Sequence, residues 1–497
     1  MKNTKTKELQ VGGFIVSSTQ MEVDMLLVTF DVWASKVHCL MLYKQKILDV
    51  EKAKKILFAL SEITKEIENK TFHIDPEKGA QLTLEANIIE KIGEAGKSLH
   101  TGRSRNDEIV TAEMLYYREK VLTIAGQIIA TCNVLLTLVK KNQQTIMPGY
   151  THMQPAKPTT VGQWALSYCN GMQRGLQTLM HYYNLFDMNP LGAAESYGTS
   201  WDIDRTYTGK LLGFSTVWEM PQDVISSRGT YQLGYLQGLS EVALIAGKLA
   251  QDLLLFNTFE YGFVDLGDAV AQRMHPITGS SIMAQKKNPD VLELIRATSP
   301  QIIGLTSIVA NLISNLPMGY NRDARETKEY TVMGFTKTAS MLSSLEKVIA
   351  TILFNKEKME QTVLENYSLT TELADFLAQQ TGIGYRIIYK IIGEIVDIKI
   401  AEKKLITDIT VKEIIQKAKE YTVTLNINES ELSHALNLSE VMQKRKHIGG
   451  ASKKSMNIAI KNAYKNIVHI QRWLNEKKNK IASAKNQTEE IVKGFLQ

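Results

Sequence analysis

The sequence predicts an all-α protein: an elongated central helical bundle with smaller N- and C-terminal helical domains. Three observations lead there. The ten prolines all lie between Pro76 and Pro317, which leaves the last 180 residues, rich in Leu, Ile, Lys, Glu and Ala, free to run as helix. Apolar residues recur at helical spacing, as at Ile56, Leu60, Ile63 and Ile67. No segment alternates apolar and polar residues long enough to argue for a large sheet.

Taken in order, an N-terminal helical domain is expected over 1–103. The central bundle, over 104–355, contains stretches at about 107–140, 158–186, 229–258 and 289–316, each long enough for a rod of roughly 30–45 Å. Their apolar stripes are wider than one neighbour covers, so further helices are expected to pack from outside through oligomerisation. A C-terminal helical domain is expected over 356–497. The lysines between Lys477 and Lys485 read as a solvated helix face, because no aromatic lies among them.

Composition narrows the function classes. The chain has 497 residues, 44% of them apolar, and a formal net charge of +6, which is small for this length and gives no basic stripe of the kind nucleic acid requires. Cys39, Cys132 and Cys169 are odd in number and widely spaced. They fit a reducing cytosol and buried core positions better than a disulfide framework or a zinc site. The polar start, MKNTKTKELQVGG, lacks the apolar segment of a secretory signal. Runs such as Ile302–Leu316 are too short and polar to span a bilayer.

Five turn-rich polar segments interrupt the helical background: residues 100–108, 147–155, 189–200, 279–290 and 319–329. In GSSIMAQKKNPD, Gly279 gives backbone freedom and Ser280 and Ser281 offer hydroxyls. Lys286 and Lys287 add charge, and Asn288 is placed to cap a helix entered through Pro289. Such a loop suits a carboxylate or a developing dianion; alone, it reads equally well as a polar loop with a cap. Thr151, His152 and Gln154 fall in a turn between helices, where a lone histidine is more often structural than catalytic. Arg103 and Arg105 flank Ser104 and precede Asn106, a pattern that grips carboxylates or forms a surface ion-pair cluster. Tyr320, Asn321, Arg322, Arg325 and Lys328 form another cationic junction.

Together these segments resemble the argininosuccinate lyase family of the fumarase and aspartase superfamily. The resemblance runs from about Asp24 to Gly450 and rests on HTGRSRND, MPGYTHMQ, NPLGAA followed by YGTS, the GSS-to-NPD loop followed by ELIR, YNRD followed by KE, and HIGGAS. It implies a fumarase/aspartase-like fold and an anti-elimination that releases fumarate from an N-substituted aspartate, argininosuccinate above all. It implies Ser280 as the base, stabilised by Lys286 and loop amides, with His152, supported by Glu293, as general acid or relay. Ser104, Asn106, Thr151, Lys286 and Asn288 are implied as ligands of the succinyl carboxylates, and Tyr320 and Lys328 of the amine half; Arg105 and Arg325 are further substrate-binding candidates beside them. It further implies a small-molecule substrate, a cytoplasmic homotetramer whose active sites draw on three subunits around a 20-helix core, and no metal, cofactor, nucleic acid or membrane.

Departures concentrate on the leaving-group side. Gly79-Ala80-Gln81 stands where the family has Asp-Val-His, Gln20 where it has a serine, and Arg325 where it has a glutamine. Ala284 replaces a proline, and the approach from Asp268 to Gly279 is about six residues longer than usual. The competing readings are a paralogous lyase acting on another N-substituted aspartate and, from a different class, a non-catalytic structural protein such as the lens crystallins this family has supplied.

Overall fold

The structure is a computed structural model that describes Phe14 and residues 16–497; the polar start, at residues 1–13, lies outside the described residues. Seventeen α-helices occur among them, with three two-stranded ribbons. The N-terminal part supplies α1 (Ser18–Lys44), α2 (Val50–Glu68) and α3 (Gly79–Ile92). The bundle is made of α4 (Arg105–Lys141), α5 (Val161–Leu185), α8 (Thr230–Asn257), α9 (Asp290–Ile313) and α10 (Thr327–Thr351), with the short α6 (Arg205–Leu211) and α7 (Pro221–Ser226) between. At 1.5 Å per residue, α4 is about 55 Å long and α8 about 42 Å.

Local chemistry sets the ends of these rods. Ser104 caps α4: its Oγ accepts the Asn106 amide at 3.4 Å, and Asp107 Oδ1 takes the Ser104 amide at 2.9 Å. Lys140 and Lys141 sit in the last turn, where cations favour the helix dipole. Gly229, at φ +93, turns the chain into α8, and a Cβ there would lie 2.2 Å from Ile313 Cγ2. Only glycine lets the start of α8 approach the end of α9 so closely. That contact makes α8 and α9 antiparallel and puts Asp290 beside the far end of α8.

Two hydrophobic cores form. The first joins α1–α10 and takes in the last helix, α17 (Lys453–Leu496), through Met456, Ile460, Ile467, Ile470 and Leu474. The second, between Val363 and Ala451, gathers α12 (Thr370–Thr381), α13 (Tyr385–Ala401), α14 (Val411–Glu420) and their neighbours. The three cysteines are buried and free of disulfides. Helices α1 and α4 are apolar and long enough to cross a membrane, but 78% and 61% of their most apolar windows are buried inside the protein, so they are packed here as core helices.

Two expectations need correction. The lysines of the last helix are not simply solvated. Lys477 pairs with Asp187 at 3.2 Å, Lys480 donates to Ser215 at 2.8 Å, and Lys485 pairs with Glu119 and lies over the Phe30 and Trp33 rings. They tie α17 to the bundle, using aromatic and acidic partners that come from distant sequence. The segment after Gln144 is a hairpin rather than a bare turn, with β1 (Ile146–Thr151) antiparallel to β2 (Gln154–Thr160). Pro148 faces Pro158 across it, which a two-stranded ribbon tolerates because both strands are edges. These prolines hide the ribbon from a pattern search.

Candidate active site

The residues singled out in the sequence gather at two opposite ends of the bundle. At one end, α4 begins with Ser104 half-buried, Arg105 exposed and Asn106 donating to Glu195 O at 3.3 Å. Asp107 Oδ2 accepts the Gly192 amide at 2.8 Å and the Ala194 amide at 3.0 Å, which pins the 190–198 loop over this turn. Burial pushes the Asp107 carboxyl up to about 6, while the amides from Ser104, Gly192 and Ala194 and the Arg103 charge oppose the shift.

The amine-half candidates lie at the same end. Lys328, fully buried, pairs with Asp24 of α1, and Arg325 Nη2 reaches the other Asp24 oxygen at 3.6 Å. Burial holds Lys328 below the ordinary lysine range, and Asp24 and Glu113 resist that shift. Glu113 of α4 is itself surrounded by donors: Arg228 at 3.2 Å, Tyr231 at 2.5 Å and Gln232 at 3.0 Å. Arg228 stands 5.7 Å above the Tyr320 ring. One turn before Asp24, Gln20 is buried, and neither atom of its amide has a partner among the described residues. Gln81 donates to Asp31 at 3.2 Å.

At the other end lie the hairpin tip and the 279–290 loop. His152 and Met153 join Thr151 to Gln154 with φ of +55 and +61. Both central residues are therefore left-handed, as a type I′ hairpin turn requires. Non-glycine residues pay of order 1 kcal/mol or more each for this conformation. Thr151, His152 and Gln154 are exposed. The ribbon is anchored by Tyr150, packed 5.7 Å from Tyr261 and 6.4 Å from Phe256 at the end of α8.

The 279–290 loop is braced from within. A Gly279 Cβ would meet His275 N at 2.4 Å, so the chain folds back tightly there. Ser280 Oγ accepts the Met283 amide at 3.0 Å. Lys287 is held by Asp265 at 3.2 Å and Asp268 at 3.4 Å, whereas Lys286 is exposed. The two adjacent lysines thus differ: Lys287 anchors the loop, and Lys286 faces solvent. The long approach is also self-supporting, with Gln272 N on Thr278 Oγ1 at 3.0 Å and Arg273 Nε on Gln285 O at 3.1 Å. Asn288 does not cap α9; Pro289 occupies the cap position, and the Asn288 amide donates to Thr278 O at 3.0 Å. Proline has no side-chain acceptor for the first-turn amides, and no side-chain cap bond is made there. Glu293, in the first turn of α9, is exposed.

A single chain therefore does not assemble these residues. Ser280, Lys286, Asn288, Glu293, Thr151 and His152 lie beyond the C-terminal end of α8, and Ser104, Arg105, Asn106, Tyr320, Arg325 and Lys328 beyond its N-terminal end, about 42 Å away. Among the described residues no hydrogen bond or ion pair joins His152 to Glu293 or to Ser280. Sequence reasoning missed Asp24, Glu113 and Arg228. The available signal was a carboxylate on an otherwise apolar helix, which must find a buried partner.

The family model described as "Lyase" matches residues 18–304, and that described as "Argininosuccinate lyase C-terminal" matches 367–443. The argininosuccinate lyase of Methanocaldococcus jannaschii is 33% identical over 485 residues, covering 96% of each chain. That of Natranaerobius thermophilus is 33% identical over 426 residues, covering 86% of each. Among solved structures, an EDDS lyase in complex with formate superposes with a TM-score of 0.87 at 23% identity, over 99% of this chain and 96% of that one. A class II fumarase from Schistosoma mansoni gives 0.65 at 16% identity, over 86% and 91%. These two likenesses show the fold, which is fumarase/aspartase-like. A match of this length, with the turn motifs in unbroken order on that fold, makes the chain an enzyme of the carbon–nitrogen lyases and a member of the argininosuccinate lyase family.

Proposed function

We propose that this enzyme eliminates arginine from argininosuccinate by anti-elimination, leaving fumarate, in a cytoplasmic route of arginine biosynthesis. The observation that carries the reading is the match, over 96% of both chains, to a relative named for that activity. In this mechanism Ser280 takes the Cβ proton. A serine hydroxyl becomes a base only if its pKa falls by several units, at about 1.4 kcal/mol per unit. Lys286 and the loop amides supply that stabilisation, while Thr151, Ser104, Arg105, Asn106 and Asn288 hold the carboxylates on which charge collects. His152, with Glu293 raising its basicity, returns a proton to the leaving nitrogen. Tyr320, Arg325 and Lys328 hold the amine half, and no metal or organic cofactor takes part.

The same proposal includes a homotetramer in which three subunits complete each site. It is supported by the 42 Å separation within one chain and by the uncovered outer face of α9. There Leu294 is 67% and Ile308 40% exposed, and Gly304 has open space beside it. The domain limits near 103 and 355 also belong to this proposal, with the last helix contributing to the bundle core.

A second reading, a paralogous lyase for another N-substituted aspartate, is favoured by one observation. Arg325 adds a second cation to Asp24 in the amine-half cluster, a cost beside a guanidinium and a gain beside an extra carboxylate. Fumarate absorbance with purified protein and argininosuccinate decides between them. Turnover that Ser280→Ala abolishes supports the first reading. No turnover there, together with turnover of another aspartyl adduct, establishes the second.

A further inference from the structure

Between α1, α3 and the turn before α4 lies a buried cluster that the elimination chemistry does not use. Asp31 of α1 and Glu108 of α4 are 1% and 3% exposed, and the Arg103 side chain is 4% exposed. Arg103 pairs with Glu108 at 3.2 Å and donates to Ser35 Oγ at 2.9 Å. His38 Nε2, on the same helix as Asp31, donates to Thr101 O at 2.9 Å. Asp31 Oδ2 accepts from the neutral Gln81 amide, and Oδ1 has no donor although it is sealed from water.

The charges do not balance as ordinary ionisation would leave them. Two buried carboxylates face one guanidinium, and Gln81 contributes a donor without charge. An uncompensated buried charge is expensive, and two adjacent carboxylates relieve the cost by holding one proton between them. The orphaned Asp31 Oδ1, with the Glu108 carboxyl beside it, is the gap such a proton fills. We infer that Asp31 and Glu108 share one proton, and that this shared proton makes Asp31 a positioning residue for the Ser104–Asn106 turn. Arg103 immediately precedes that turn and Glu108 lies one helical turn into α4, so the network clamps both sides of it. The inference rests on the reading that Ser104 and Asn106 take the substrate. Burial and the neighbouring Glu108 hold Asp31 well above the usual carboxylate range, and Arg103 opposes them. The other ionisable groups around the cluster are His38, His100 and the buried Asp107 near Arg103, and Glu85 and Arg105 across a small enclosed cavity.

An amide at position 31 imitates the protonated acid and cannot lose the proton. Asp31→Asn is therefore expected to keep KM and kcat within about twofold of wild type at pH 7.5. Asp31→Ala should raise KM at least tenfold with kcat nearly unchanged, and Glu108→Gln replaces it as the comparison if it does not fold. A readout independent of turnover is hydrogen exchange of residues 101–108, corrected for intrinsic rates, in the full-length protein. Asp31→Asn should keep the wild-type protection at pH 7.5, and Asp31→Ala, which removes the shared proton, should lose it. Loss of protection in Asp31→Asn, or a KM raised in it as in Asp31→Ala, overturns the inference. If argininosuccinate is not turned over while the exchange difference appears, the substrate reading fails and the shared proton stands.

Discussion

Asp24→Asn tests the charge arrangement of the amine-half cluster directly. The carboxylate is 6% exposed and lies between Lys328, at 2%, and Arg325, at 12%. At the 3.6 Å of the Arg325 contact, one unit pair at an effective dielectric of 20 amounts to about 4–5 kcal/mol. Breaking such a buried pair by removing one partner costs about 3–5 kcal/mol. Lys328 limits the loss, because it escapes by giving up its proton. From the ordinary value of 10.5, deprotonation at pH 8 costs about 3.4 kcal/mol, and at pH 9.5 only about 1.4 kcal/mol. The expected destabilisation is therefore about 3 kcal/mol at pH 8 and about half of that at pH 9.5. Adding Lys328→Met to Asp24→Asn should restore at least half of the pH 8 loss. The assay is urea unfolding at fixed protein concentration, followed by tryptophan fluorescence, with the buried Trp33 of α1 as local reporter. An unchanged midpoint in Asp24→Asn, or a double variant no more stable than the single one, would refute the argument.

Three further outcomes are expected. His38 is buried and neutral, with burial pushing its pKa down to about 3 from 6.5. A lowered base gives stability that is complete above pH 6.5 and lost as pH falls toward 3. At pH 4.5 the loss is about 2.7 kcal/mol, and His38→Gln should shrink the difference in unfolding free energy between pH 7.5 and 4.5 by that amount. Glu293→Gln should lower kcat at least tenfold while leaving the urea midpoint unchanged, because the side chain is exposed; an unchanged kcat would remove Glu293 from the proton path. Gly229→Ala combines a left-handed backbone with a 2.2 Å clash against Ile313, and should cost roughly 2–4 kcal/mol by urea unfolding.

The rods were legible because nothing interrupts their pattern. The stretches expected at 107–140 and 229–258 form as Arg105–Lys141 and Thr230–Asn257, bounded by the Ser104 cap and the Gly229 turn. The hairpin was not legible, since Pro148, Pro155 and Pro158 mask its alternation. Nor was the role of the Lys477–Lys485 segment, whose partners Asp187, Ser215 and Glu119 come from elsewhere in the chain. In the GSSIMAQKKNPD loop the residue types pointed to an anion site. By residue type alone Lys286 and Lys287 were alike; the family resemblance singled out Lys286, and the structure shows Lys287 occupied by Asp265 and Asp268.

The sequence by itself determined the helical class, the order of the turn motifs and the family they mark, because periodicity, proline placement and short motifs are local properties of the chain. Only the tertiary structure decided which charges face one another. Asp24 meets Lys328 across 304 residues, and Gln81 meets Asp31 across 50. It also decided that Ser280 and Ser104 belong to opposite ends of the bundle, because the two turns are joined by rods whose length fixes their separation. Local pattern sets what each segment becomes, and long-range packing sets what each charge must neutralise.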